Sequence, residues 1–160
     1  MARLRPRIIL LSLLLIGCGR PFEPVSNIHP DIKPFYNMFL ADMLFYKGYE
    51  SNRIITMKFK GGLLNKEGKP AIGNCNKTTI TYIDIDTKKK SYVRYTISID
   101  PKFWYPGADV DKFVLSYHEM GHCLLDIEHR IAYSIMEKDH IGERYLDDPE
   151  YYLRELFGVL

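Results

Sequence analysis

Apolar residues recur at two periods along the chain, and the changes of period mark its elements. From Asp31 to about Tyr49, Phe35, Met38, Phe39, Ala41, Met43, Phe45 and Tyr46 fall at helical spacing, which predicts a first helix with its aromatic stripe in a core. Three runs rich in β-branched and aromatic residues follow: RIITMKF at 53–59, TTITYIDID at 78–86 and SYVRYTISID at 91–100. They read as strands, with Gly61, Gly62, Gly68, Gly73 and the TKKK segment as breaks, and the last two lie close enough to form a hairpin. After DPKFWYPG the helical period returns from about Asp109, with Asp109 or its neighbour as cap. A final amphipathic helix is predicted in DDPEYYLRELFGVL, capped by Asp148 with Pro149 at its first position. At 160 residues the chain is sized for one domain with a real core.

The start of the chain follows neither pattern. Arg3, Arg5 and Arg7 form a basic head before an apolar run from Ile8 to Ile16, too short to span a bilayer as a helix. Leu15, Ile16, Gly17 and Cys18 resemble the bacterial lipobox, which implies that residues 1–17 are a removed signal peptide and that Cys18 carries lipid. An ordinary secretory signal with an incidental cysteine is the alternative. Residues 18–30, with three prolines in GRPFEPVSNIHP, read as an extended tether in which His29 is solvated. The folded domain is then expected over 31–160.

Removing the signal changes the charge. Three of 22 basic residues leave with it and no acidic one does, so 19 basic residues face 20 acidic ones, a net of −1. The basicity of the whole chain therefore belongs to the export signal, and no nucleic-acid partner is implied. Lys88, Lys89 and Lys90 read as a solvated turn between strands.

The chemistry sits in YHEMGHCLLDIEHRIAYSIM, residues 117–136. His118 and His122 are one helical turn apart, so both imidazoles can bind one ion. Glu119 beside them is placed to take a proton from water attacking a carbonyl. Beyond Cys18, Cys75 and Cys123 remain, and an oxidising compartment favours their pairing as a disulfide, with a free buried Cys123 as the alternative.

His118, Glu119 and His122, a further ligand near 128–129, and Ser134, Ile135 and Met136 together resemble the metzincins. That zinc-peptidase superfamily carries HExxHxxGxxH or HExxHxxGxxD followed by a methionine-containing turn under the metal. The resemblance implies an α+β fold: a twisted, mostly antiparallel small sheet packed with an N-terminal helix, an active-site helix and a C-terminal helix. It also implies Zn2+ as cofactor, a peptide or protein substrate held along an edge strand, and Glu119 as general base. By position SYVRYTISID is a candidate for that edge strand.

The chain departs from the family pattern at the turn. Leu125 stands where the family has glycine, which leaves Asp126 as the residue best able to adopt left-handed angles. Strict counting puts the third ligand at Glu128, with His129 one residue late, and His129 is favoured because histidine is the commoner ligand. Lys138 replaces the tyrosine that some branches carry two residues after the methionine, while Tyr133 and Tyr145 read as core.

Several alternatives stay open. A glutamate from a later helix, Glu143, Glu150 or Glu155, could complete a gluzincin-like site, and Cys75 could act as a removable zinc ligand. An envelope zinc-binding or structural lipoprotein is the reading outside enzymes, with His140 available to close a structural site. The expectation is a monomeric, lipid-anchored zinc endopeptidase of the bacterial cell envelope, on the outer-membrane or periplasmic side if the cell has two membranes.

Overall fold

The computed structural model describes residues 25–83, 88–130, 132–138 and 142–160. The expected signal peptide, Cys18, most of the expected tether, the centre of the turn before Lys88 and His140 lie outside the described residues. In chain order the elements are β1 (Asn27–Ile28), α1 (Lys33–Lys47), β2 (Ile54–Phe59), β3 (Gly73–Ile83) and β4 (Lys89–Ile99). They are followed by α2 (Pro101–Trp104), α3 (Asp109–Leu125), α4 (Gly142–Tyr145) and α5 (Pro149–Leu156). No helix among the described residues is long and apolar enough to cross a membrane.

The fold is α+β, and its sheet is mixed. Strand order is β1-β2-β4-β3, with β1–β2 and β2–β4 parallel and β3–β4 antiparallel. The expected mostly antiparallel sheet is therefore corrected: only the β3–β4 hairpin is antiparallel. The connection between β2 and β3 supplies the reason. Phe59 and Gly73 both pair with Ile99, so the chain leaves β2, crosses the end of β4 through residues 60–72, and returns on the far side. That long connection opens a slot one strand wide between β2 and β3, and β4 fills it. Its run Tyr95, Ile97, Ser98 and Ile99 is buried, as an interior strand requires. SYVRYTISID is thus a central strand, and the edge beside α3 is β3.

Helix ends follow local chemistry. Gly48, at φ 73°, closes α1 with its N–H on the Leu44 carbonyl, a left-handed position that glycine fills without a steric penalty. Ala108, rather than Asp109, is the N-cap of α3 and offers no side-chain bond. Asp109 and Asp111 instead sit in the first turn, where negative charge complements the helix dipole. In α5, Asp148 caps through the Tyr151 N–H and Pro149 takes the first position, as the pattern predicts.

The core is assembled from α1, α3 and the sheet. Phe39 and Met43 of α1 meet Tyr117 and Met120 of α3 over Ile55, Met57, Ile97 and Ile99. The Phe39 and Tyr117 rings meet edge to face at 5.1 Å, and the Tyr117 hydroxyl donates to Asp42. Burial raises the Tyr117 phenol well above its ordinary pKa, so it remains a donor. Phe157, just after α5, packs on Phe39 and Tyr46 and fixes the last helix against the first. The expected tether also stops short of residue 30. Asn27–Ile28 pairs with Thr56–Met57, and His29 is half-buried against Phe59 rather than solvated.

Candidate metal centre and cleft

Helix α3 carries His118, Glu119 and His122, and its C-terminal turn brings His129 back to them. Asp126 makes that turn with φ 55° and ψ 35°, the left-handed conformation that glycine would otherwise supply. Arg53, at the start of β2, holds it there: one guanidinium nitrogen donates to the Cys123 carbonyl at 2.7 Å and another pairs with the Asp126 carboxylate. The Arg53 hydrogen bond keeps the Asp126 carboxyl below its ordinary pKa. Its stabilisation is present above the usual carboxylate range and is lost as acid protonates it.

The three imidazoles converge. Nε2 of His118 lies 3.1 Å from Nε2 of His122 and 3.1 Å from Nε2 of His129, and the third side of the triangle is 3.2 Å. Metal–nitrogen bonds of about 2 Å at tetrahedral angles require nitrogens about 3.3 Å apart, so the triangle fits a tetrahedral ion. Two of the rings have their tautomer fixed by a backbone acceptor. His118 Nδ1 lies 2.8 Å from the Ile135 carbonyl and His122 Nδ1 lies 2.6 Å from the Ile127 carbonyl. A carbonyl only accepts, so both Nδ1 atoms carry hydrogen and both Nε2 lone pairs point into the triangle. Burial lowers the His122 pKa and favours the neutral ring that a metal needs. These three are the group that could hold a metal ion among the described residues.

Glu128 is exposed and lies outside the triangle, although it lines the cleft. The other candidate glutamates are engaged elsewhere or lie apart. Glu150 accepts from the Tyr46 hydroxyl, Glu155 pairs with Arg130 and Ser134, and Glu143 is exposed on α4. The gluzincin-like alternative therefore has no glutamate at the histidines among the described residues.

Glu119 is buried, and burial pushes its carboxyl up to about 8. Its Oε2 has no protein partner, while Oε1 lies where a side chain at residue 73 would be: a Cβ on Gly73 would stand 2.5 Å from it. Glycine in an edge strand here marks a close approach. The carboxyl faces a cleft of about 420 Å³ shared with His122, His129, β3 and residues 64–67 of the crossing loop. Asn65 folds that loop back by accepting from the N–H groups of Glu67 and Lys69. Lys138 stands on the cleft's rim.

The turn through Ser134, Ile135 and Met136 is buried and pinned from below. The Ser134 hydroxyl donates to Glu155 at 2.7 Å and accepts from the Met136 N–H, while the Arg130 N–H donates to the Met136 carbonyl. Met136 packs against Gly121, where an added Cβ would collide with its sulfur. Tyr133 is 65% exposed at a positive φ, so it does not belong to the core as expected; Tyr145 does pack there, on Phe113 and Tyr152. Cys75 of β3 and Cys123 of α3 form a disulfide with Cα atoms 5.7 Å apart, which leaves Cys75 no free thiol to bind a metal.

Arg53, Gly73, Gly121 and Glu155 are the site's supports that sequence reasoning missed. A glycine inside HEMGH is visible in the sequence, but the methionine it accommodates lies fifteen positions on. Nothing local marks Arg53 or Glu155. Against protein-family models, curated proteins and solved structures, the chain matches none.

Proposed function

We propose that this protein is a zinc-dependent endopeptidase of metzincin type, held in the bacterial cell envelope by lipid on Cys18. The observation that carries the reading is the triangle of three Nε2 atoms, beside a cleft that also holds Glu119. Three ligands and an open side characterise catalytic zinc sites, whereas structural ones are closed by a fourth protein ligand. Zinc bound there supplies a Lewis acid and a double positive charge.

The chain's own residues supply the rest. Glu119 takes the proton of a water attacking the substrate carbonyl and passes it to the leaving amine. Its carboxyl is buried and hydrogen-bonded to no protein group at Oε2, and a positive ion held by the histidines would favour the ionised form that this role needs. The exposed edge of β3, with Gly73–Asn76 along the cleft, offers backbone groups to an extended peptide. On this reading β3 takes the substrate-holding role first expected of SYVRYTISID.

The test is purified protein assayed for zinc content and for cleavage of casein or a peptide library, with and without chelator. Stoichiometric zinc with chelator-sensitive cleavage is the expected result. Bound zinc with no cleavage would instead favour an envelope zinc-binding protein.

A further inference from the structure

The outer face of α1 is the largest feature that the metal site does not use. Helical geometry places Pro34, Met38, Ala41, Leu44 and Phe45 on one side, with the polar Asn37 among them, opposite the buried Phe39 and Met43. That side covers an arc of roughly 120° at 3.6 residues per turn, and no charged side chain interrupts it. All six residues are exposed, Phe45 at 80% and Met38 at 48%. Scattered exposed apolar residues are ordinary, but an uncharged, mostly apolar stripe from Pro34 to Phe45 is not.

Charge is arranged around the stripe. Lys33 and Lys47 flank one border at opposite ends of the helix, where long stems can lie along an apolar surface while the ammonium groups reach phosphate. Asp42, at the other border, is turned inward and accepts from Tyr117. The cleft takes no residue from α1, so covering this face leaves the metal site open.

We infer that this face of α1 lies on a lipid surface, the bilayer that holds the Cys18 anchor; the inference rests on the lipid-anchor reading above. Reach supports it. Six residues lie between Cys18 and Val25, the first described residue, and an extended chain over those seven steps spans at most about 25 Å. Helix α1 itself is about 22 Å long at 1.5 Å per residue. The reach of the tether is thus comparable with the length of the helix, and an anchor on Cys18 would keep the domain close to the bilayer. A mostly apolar helix face with a basic border suits the headgroup boundary, where it would orient a domain already tethered by lipid.

The experiment uses the full chain in its processed form, in vesicles of phosphatidylethanolamine and phosphatidylglycerol. A polarity-sensitive fluorophore is attached at Phe45→Cys or, as control, at Thr79→Cys on the exposed part of β3. Acylation of Cys18 is read by mass spectrometry in each sample. With Cys18 acylated, lipids carrying a quencher near the headgroup should remove most of the fluorescence at position 45 and little at position 79. Adding Met38→Asp and Leu44→Asp should restore it without changing acylation. Acylated protein whose label at 45 is not quenched overturns the inference and leaves the anchor reading intact. Quenching that survives the paired aspartates also overturns it. Protection of the label at 45 without quenching, together with dimer-sized particles in detergent, assigns the face to a second copy instead. Absence of lipid on Cys18 together with no vesicle binding overturns both readings.

Discussion

Glu119 and its neighbours show how little freedom the site leaves to single residues. The carboxyl is too buried to act as a surface charge and is not part of the three-histidine group, which on the proposed reading leaves it proton transfer. Glu119→Gln should therefore retain zinc at full stoichiometry and lose about 10²- to 10⁴-fold in activity, the usual worth of a general base. Loss of metal in that variant would make Glu119 a ligand and refute the assignment. The third ligand can be decided in the same way. His129→Ala should weaken zinc binding by orders of magnitude, while Glu128→Ala, which removes an exposed carboxylate outside the triangle, should change it less than about tenfold. Titration of each variant against a competing chelator gives the ranking, and the opposite order would move the site to two histidines and a carboxylate. Spacing alone gave His118 and His122 and pointed to Glu128; His129 followed from the preference for histidine as a ligand, and Asp126 as the turn residue followed from its tolerance of left-handed angles. The residues that hold them in place were not legible, because Arg53 and Glu155 act from 70 and 25 positions away in sequence.

Among the elements, α1, α3 and α5 were plain from their period, and β2 was placed to within a residue. β3 was read five residues late, because glycine, asparagine and cysteine in IGNCN suggest a loop when they in fact line an edge strand beside a cleft. The sense of the sheet was hidden for a different reason: it depends on where residues 60–72 lead the chain, and local preferences do not encode that path. The disulfide gives this edge strand its fixed distance from α3. Closing a separation of 48 residues contributes roughly 4 kcal/mol in the chain-entropy account. Replacing both Cys75 and Cys123 by serine should lower the melting temperature by on the order of 10 °C, measured by circular dichroism with zinc present. A change of only a degree or two would mean that the β3–β4 pairing and the packing beneath it already hold the edge.

For the molecule as a whole, the candidate metal site and the fold are separable. The principal core runs through Phe39, Met43, Ile55, Ile97, Tyr117 and Met120 and draws nothing from the three histidines. Removal of the metal should therefore leave the far-UV circular dichroism unchanged while the melting temperature falls, and the fall should grow with the free zinc concentration used for comparison, as linkage demands. An apo chain without secondary structure would overturn this and place the protein with zinc-nucleated folds. The sequence already contained this division, since the apolar periods that build the core and the histidine spacing that builds the site are independent patterns.

The clamp on the Ser134–Met136 turn carries a consequence for assembly. A chain delivered from its N-terminus has His118, His122 and His129 in hand well before Glu155 is available to receive Ser134 and Arg130. Until α5 docks, the strip of backbone whose Ile135 carbonyl orients His118 lacks the bond from Ser134 to Glu155 and keeps only its other contacts, among them the Arg130 N–H on the Met136 carbonyl. The three histidines are thus present early and gain their full support late. On the proposed peptidase reading, the last helix, which gives no residue to the cleft, sets when activity can begin.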